Sequence, residues 1–152
     1  MSDSSTVTYD VIGTIRSDVE AAGGGPIQPT YADGTTGRVS VREEYADGLA
    51  DLDAFSHVIL VYHCHAVADG YDLAVEPFLD ERERGVFATR APRRPNSVGL
   101  SVVRLDGIEG RHLSVREIDV VDGTPLLDLK PYVPAFDGRD GTTGWISPPE
   151  DP

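Results

Sequence analysis

A mostly β domain, built as a small closed or nearly closed β-barrel with short helices in its connections, is what this sequence predicts on three observations. Asp-Gly occurs seven times, at Asp33, Asp47, Asp69, Asp106, Asp122, Asp137 and Asp140, among 16 glycines and 11 prolines, which is the punctuation of many tight turns. Between those turns lie five or six short runs rich in β-branched residues, the composition of strands. No GxGxxG follows a strand and opens a helix, so a doubly wound nucleotide-binding layer is not expected.

Residues 7–15 read as the first strand, with Val7, Tyr9 and Val11 alternating before the phase slips. Residues 17–37 form a long irregular segment holding GGGP and GTTG, glycines that signal flexibility because no strand-then-helix context surrounds them. Residues 38–42 alternate cleanly, and residues 49–55 allow one or two helical turns. No formal charge falls between Ala54 and Ala68, and VILVYHCH (58–65) reads as a buried central strand. Residues 71–83 are the best place for a longer helix or loop. Residues 98–105 and 111–118 predict a hairpin across 106–110. In its second arm Leu113 and Val115 share one face while Ile118 and Val120 take the opposite phase, which suggests a β-bulge. The barrel domain is expected over residues 1–138, with 139–152 as a C-terminal tail that ends in a proline-rich, acidic stretch expected to fray.

At 152 residues the chain fits one domain able to bury about 70% of its unfolded surface. No apolar run approaches a membrane span, and the start MSDSSTVTYD is acidic and polar where a secretory signal is basic then apolar. A cytoplasmic protein with no membrane partner is the expectation, and the single cysteine, Cys64, reads as a buried structural thiol. The 26 acidic residues against 13 basic, with Lys130 the one lysine and a net charge of −13, suggest a surface adapted to high salt. In molar salt the Debye length is about 3 Å, so a polyanion is held there only by close contacts.

Five of those basic residues fall between Arg82 and Arg94, and Arg90, Arg93 and Arg94 run directly into Pro95, Asn96 and Gly99. Proline fixes its own φ and pushes Arg94 toward an extended conformation, asparagine tolerates a tight turn, and glycine admits a close neighbour. A positive island on a rigid turn suits an anion. His63 and His65 fall about 7 Å apart on one face of an extended strand. They read as a metal pair, an acid–base pair or structural histidines, and no CxxC or HExxH is present to complete a zinc site, so no metal is expected. In DVVDGTPLLDLKPY (119–132) Asp122-Gly-Thr-Pro makes a turn, and Asp128, Lys130 and Tyr132 alternate on one face.

Four stretches, IGTIRS (12–17), LDAFSHVILVYH (52–63), GVFATRAPRRPNSVGLS (85–101) and DVVDGTPLLDLKPYVP (119–134), resemble the TsaA-like (TrmO-type) S-adenosylmethionine-dependent β-barrel tRNA methyltransferases. They stand in family order across most of the chain, and the one departure inside them is Ser97-Val98 where the family has Pro-Ile. The resemblance implies a homodimeric barrel that binds S-adenosyl-L-methionine and tRNA and methylates N6 of threonylcarbamoyladenosine next to the anticodon. On the cofactor side it implies Arg90, Arg94, Pro95, Asn96, Gly99, Leu100, Ser101, Asp122, Gly123 and Thr124. On the acceptor side it implies Gln28, Arg93 and Lys130, with His63, His65, Asp128 or Tyr132 as the group that assists proton loss. Two other readings stand beside this one: a non-catalytic nucleotide- or RNA-binding barrel, and the same transfer onto a different acceptor.

Overall fold

The computed structural model describes residues 5–20, 35–76 and 82–146. Its centre is a closed six-stranded antiparallel barrel formed by β1 (Gly13–Ser17), β2 (Thr36–Val41), β3 (His57–His63), β6 (Val98–Glu109), β7 (His112–Arg116) and β8 (Thr124–Pro131), in the order β1-β2-β7-β6-β3-β8 and back to β1. Two-residue strands β4 (Ala74–Val75) and β5 (Arg84–Gly85) pair outside it. Helix is confined to 3-10 segments at Glu43–Leu49, Leu52–Ala54 and Val86–Ala88 and to one turn, α1 (Pro134–Asp137). Among the described residues no helix is long and apolar enough to cross a membrane.

Alternation dictates the core. Ile15, Val39, Val41, Val58, Leu60, Val103, Leu105, Leu113, Val115 and Leu126 point inward from successive strands and are buried, and Ile118 and Val120 plug one end. The 12-residue β6 closes the barrel: residues from Val98 to Arg104 pair with β3, and those from Arg104 to Glu109 with β7. Its register slips between Leu105 and Gly107, and a bulge there bends one strand between two neighbours.

Four expectations are corrected. The first strand begins at Gly13 and not at Val7, because Val7 and Tyr9 are exposed and no neighbour pairs with them in the sheet. The β6–β7 turn falls at Gly110, whose φ is +62°, while Asp106-Gly107 lies within β6 at the slip. The phase change after Val115 is not a bulge in β7. Glu117 adopts φ +63°, and this left-handed residue turns the chain out of β7 so that Ile118 and Val120 drop into the barrel. Between residues 71 and 83 the described part is loop and short strand, not a longer helix. The described part of the tail, 139–146, folds back: Trp145 Nε1 donates to the Ala88 carbonyl at 2.7 Å, and the Arg84 guanidinium lies 5.5 Å over the indole.

Candidate functional site

One mouth of the barrel gathers the ends of β1, β3 and β7 with the starts of β2, β6 and β8. Residues 118–121 lie across it. The Thr35 hydroxyl donates to the Ile118 carbonyl at 2.9 Å, the Ser17 hydroxyl donates to the Val120 carbonyl, and Asp122 N–H donates to the Val19 carbonyl at 2.9 Å. With Ile118 and Val120 buried on either side, Asp119 is turned toward Ser101, an inward-facing hydroxyl on β6 that is 2% exposed.

Tyr62 OH lies 2.8 Å from Ser101 Oγ, and Ser101 Oγ donates to Asp119 Oδ1 at 3.0 Å. Because the serine proton is directed to the carboxylate, the phenol supplies the proton of the first bond. Burial pushes the Tyr62 phenol up to about 12, which keeps that proton in place. Burial also pushes the Asp119 carboxyl up to about 6, against the opposing pull of the Ser101 hydrogen bond, its own backbone N–H and the Arg90 charge. A half-buried carboxyl with this shift, in hydrogen-bonded sequence with two hydroxyls, marks a candidate functional group.

The three arginines of the corner do different work. Arg94 Nη1 donates to the Thr89 and Ala91 carbonyls at 2.8 and 3.1 Å, and its guanidinium lies 6.0 Å over the Phe87 ring. Arg93 Nη1 donates to Asp72 Oδ2 at 2.9 Å and its Nη2 to the Asp69 carbonyl at 3.4 Å. Arg93 therefore ties one loop to another, and Arg94 braces the loop it belongs to. Arg90 is exposed and acts electrostatically on Asp119. Pro95 and Asn96 form the exposed turn that follows, where Cys64 N–H donates to the Ser97 carbonyl at 2.8 Å and so ties the end of β3 to this loop.

Opposite the arginines, Asp122 accepts the Ser17 N–H at 3.0 Å and pairs with Arg16 at 3.7 Å. Gly123 turns with φ +84°, and His65 Nε2 would lie 3.9 Å from a Cβ placed there. The buried Thr124 hydroxyl donates to the Val121 carbonyl at 2.6 Å. The arginine loop and the Asp-Gly bend thus share one mouth. His63 ends β3 and His65 lies beyond it, both exposed. The space beside Gly99 is taken by the Tyr62 ring, while Leu100 faces outward, 60% exposed.

A sequence profile described as the tRNA-methyltransferase O N-terminal domain matches residues 14–138. The chain belongs to this family. A relative from Pyrococcus abyssi, named a probable S-adenosyl-L-methionine-binding protein, is 48% identical over 141 residues, which are 92% of this chain and 76% of that one. The mouse tRNA (adenine(37)-N6)-methyltransferase is 34% identical over 132 residues, 83% of this chain and 31% of that protein. The crystal structure of TrmO from Pseudomonas aeruginosa superposes with a TM-score of 0.81 at 36% identity, covering 96% of this chain and 65% of that one.

Within this tRNA-methyltransferase O domain the expected site residues do not all meet. Asp128, Lys130 and Tyr132 lie on or past the far half of β8. Tyr132 N–H donates to the His57 carbonyl at 3.1 Å, and its ring meets that of His57 edge-on at 6.1 Å. His57 and His63 are opposite ends of β3, so about 20 Å of strand separates Tyr132 from His63, while His57 Nε2 lies 3.8 Å from Glu117 Oε2 at the end of β7. Lys130 Nζ and Asp128 Oδ2 are 2.9 Å apart. Burial works to raise the Asp128 carboxyl, but the hydrogen bond from Lys130, the Leu129 N–H and the Lys130 charge together hold it below the usual range. The hydrogen bond and charge of Asp128 in turn raise Lys130. Asp128 also lines a groove of about 500 Å³ on the outside of the barrel with Ile12, Tyr45, Leu52 and Phe55. Gln28 lies outside the described residues.

Asp119 and the Tyr62 hydroxyl are the candidate residues that sequence reasoning missed. Two signals point to them: an acid set between Ile118 and Val120, and a serine in the inward phase of β6 ahead of Val103 and Leu105.

Proposed function

We propose that the chain is an S-adenosyl-L-methionine-dependent tRNA methyltransferase, and that its acceptor is N6 of threonylcarbamoyladenosine beside the anticodon. The observation that carries this reading is the 3.0 Å bond from Ser101 to Asp119. It joins the strand that leaves the arginine loop to the segment that enters the Asp-Gly bend, at a single barrel mouth. The relatives named for S-adenosyl-L-methionine binding and for methylation of tRNA adenine support the same reading. The methyl donor carries a carboxylate, an ammonium, a sulfonium, ribose hydroxyls and adenine. The mouth offers groups that match the charged end of the donor: the Arg90 guanidinium and the Asp119 carboxylate.

When bound, the donor supplies an electrophilic methyl group. The protein's own contribution is to orient the acceptor nitrogen in line with it, worth several orders of magnitude in rate, and to assist loss of the urea proton. His63 and His65 stand at the mouth and are the side chains we assign to that assistance within one chain. Adding S-adenosylhomocysteine should raise the melting temperature, because a ligand that binds only the folded state stabilises it. Labelled methyl should then enter tRNA that carries threonylcarbamoyladenosine, with nucleoside mass spectrometry locating it. A protein whose melting is unmoved by either form of the donor is not a methyltransferase, and the alternative of an RNA-binding barrel takes its place. Methylation of some other nucleoside moves the acceptor.

The second part of the proposal is a homodimer. On the outer face, Ile59 pairs with Val102 and Val61 with Leu100, beside the exposed Val98. This aliphatic stripe is bordered by the Asp128–Lys130 ion pair, a combination suited to a two-fold contact. Light scattering should return the mass of two 16.4 kDa chains, and Val102→Arg should halve it with the fold retained. A wild-type monomer at assay concentration removes this part.

A further inference from the structure

We propose that Asp119 accepts the α-ammonium of the methyl donor and, with Arg90 facing the donor's carboxylate, forms a clamp for an amino-acid zwitterion. This inference rests on the donor reading above and assigns one contact within it.

Two carboxylates of the mouth, Asp119 and Asp122, have different surroundings. Those of Asp122 are committed to the fold: Oδ1 takes the Ser17 N–H and Oδ2 pairs with Arg16. Asp119 is held differently. Ser101 donates to its Oδ1, its own backbone N–H contributes a second bond, and Tyr62 fixes Ser101 in turn. A carboxylate has about four acceptor sites, so this support orients Asp119 and still leaves it capacity for an ammonium. Asp119 is half-buried, so its negative charge is poorly solvated, and a charge-assisted bond from a cation is stronger there than in water. Arg90 lies near enough for its charge to act on Asp119. An acid and a base within reach of each other's charge match the two charged ends of an α-amino acid, which a phosphate or a bare nucleoside does not present. Because Ser101 and Tyr62 already order the carboxylate, the ligand spends little of its binding energy on doing so.

Asp119→Asn tests this. The amide oxygen still accepts from Ser101 while the charge disappears. A carboxyl raised by burial contributes stability below its unfolded value that is lost as pH rises through about 6. The variant should therefore be at least as stable as wild type at pH 8, and any binding defect is then not misfolding. Calorimetry is run with S-adenosyl-L-methionine, S-adenosylhomocysteine and 5′-methylthioadenosine. The expected result is a loss of about 10- to 100-fold for the first two, with methylthioadenosine, which lacks the amino-acid end, unchanged. Among the described residues Arg90, Ser101 and Tyr62 act on Asp119, whose carboxyl burial pushes up to about 6 while the Tyr62 phenol is pushed up to about 12. Wild-type protein should accordingly release protons on binding S-adenosylhomocysteine at pH 6, and the variant should not. A defect confined to S-adenosyl-L-methionine would mean that Asp119 serves the sulfonium and would overturn the proposal. Equal weakening of all three ligands, or of none, would overturn it as well. Wild-type protein that binds none of them overturns the donor reading instead.

Discussion

Gly99→Ala should lower stability by about 2–3 kcal/mol and, in the same step, uncouple the polar sequence at the barrel mouth. A Cβ at this position would overlap Tyr62 Cε1 and approach within 2.6 Å of Cζ. The ring is half-buried and its hydroxyl is bonded to Ser101, so moving it breaks that bond and leaves Ser101 free to turn from Asp119. Tyr62→Phe is the matched control. It deletes only the hydroxyl and should cost about 1 kcal/mol, with the ring still seated. Urea denaturation separates the two, and the donor affinity of Gly99→Ala should fall at least as far as that of Tyr62→Phe. If Gly99→Ala unfolds at the wild-type midpoint, the ring is not held against that strand and the account of the mouth is wrong.

Gly13→Ala should be the more damaging of the two. Gly13 pairs with Val41 on one side and Leu126 on the other, at the seam where β1 joins β2 to β8. A Cβ there would overlap the Ser40 carbonyl oxygen and lie 2.9 Å from Val41 Cα. Both obstacles are backbone, so no side-chain rotation relieves them, and β1 must draw away from β2. We expect a loss on the order of 4 kcal/mol, or about 10 °C in melting temperature for a domain of this size. Gly107→Ala is the contrast: nothing lies within 4 Å of its Cβ, so it should be neutral. Equal melting of the two variants would mean that the seam is not packed as described.

Much of the fold was legible because its signals are local. The alternation of β2, the uncharged apolar run of β3 and the turn chemistry of Asp122-Gly123 lie in neighbouring residues, and a closed barrel follows from short strands without a helical layer. The first strand was misread because Val7, Tyr9 and Val11 alternate like a strand although no neighbour pairs with them. The phase slip after Val115 was visible, but its cause, a left-handed Glu117, was not, since a glutamate carries no mark of positive φ. The arginine loop and the Asp-Gly bend stand out as motifs in the sequence, while the contacts that divide the work within them do not. Arg93 and Arg94 look like Arg90 in sequence, and only Asp72 and the Thr89 and Ala91 carbonyls distinguish them.

By itself, then, the sequence determined a turn-rich antiparallel barrel, two motif-bearing corners and the family to which they belong. Only the tertiary structure decided that Asp119 is the carboxylate bonded to Ser101 and acted on by the Arg90 charge, that Asp122 is bound into the fold, and that Tyr132 packs against His57 at the end of β3 opposite His63. The physical reason is separation along the chain. The bonds that decide these points join Ser101 to Asp119 across 18 residues, Tyr62 to Ser101 across 39 and Ser17 to Asp122 across 105. Burial and partner charge set the behaviour of a carboxylate, and both arise only when the barrel closes.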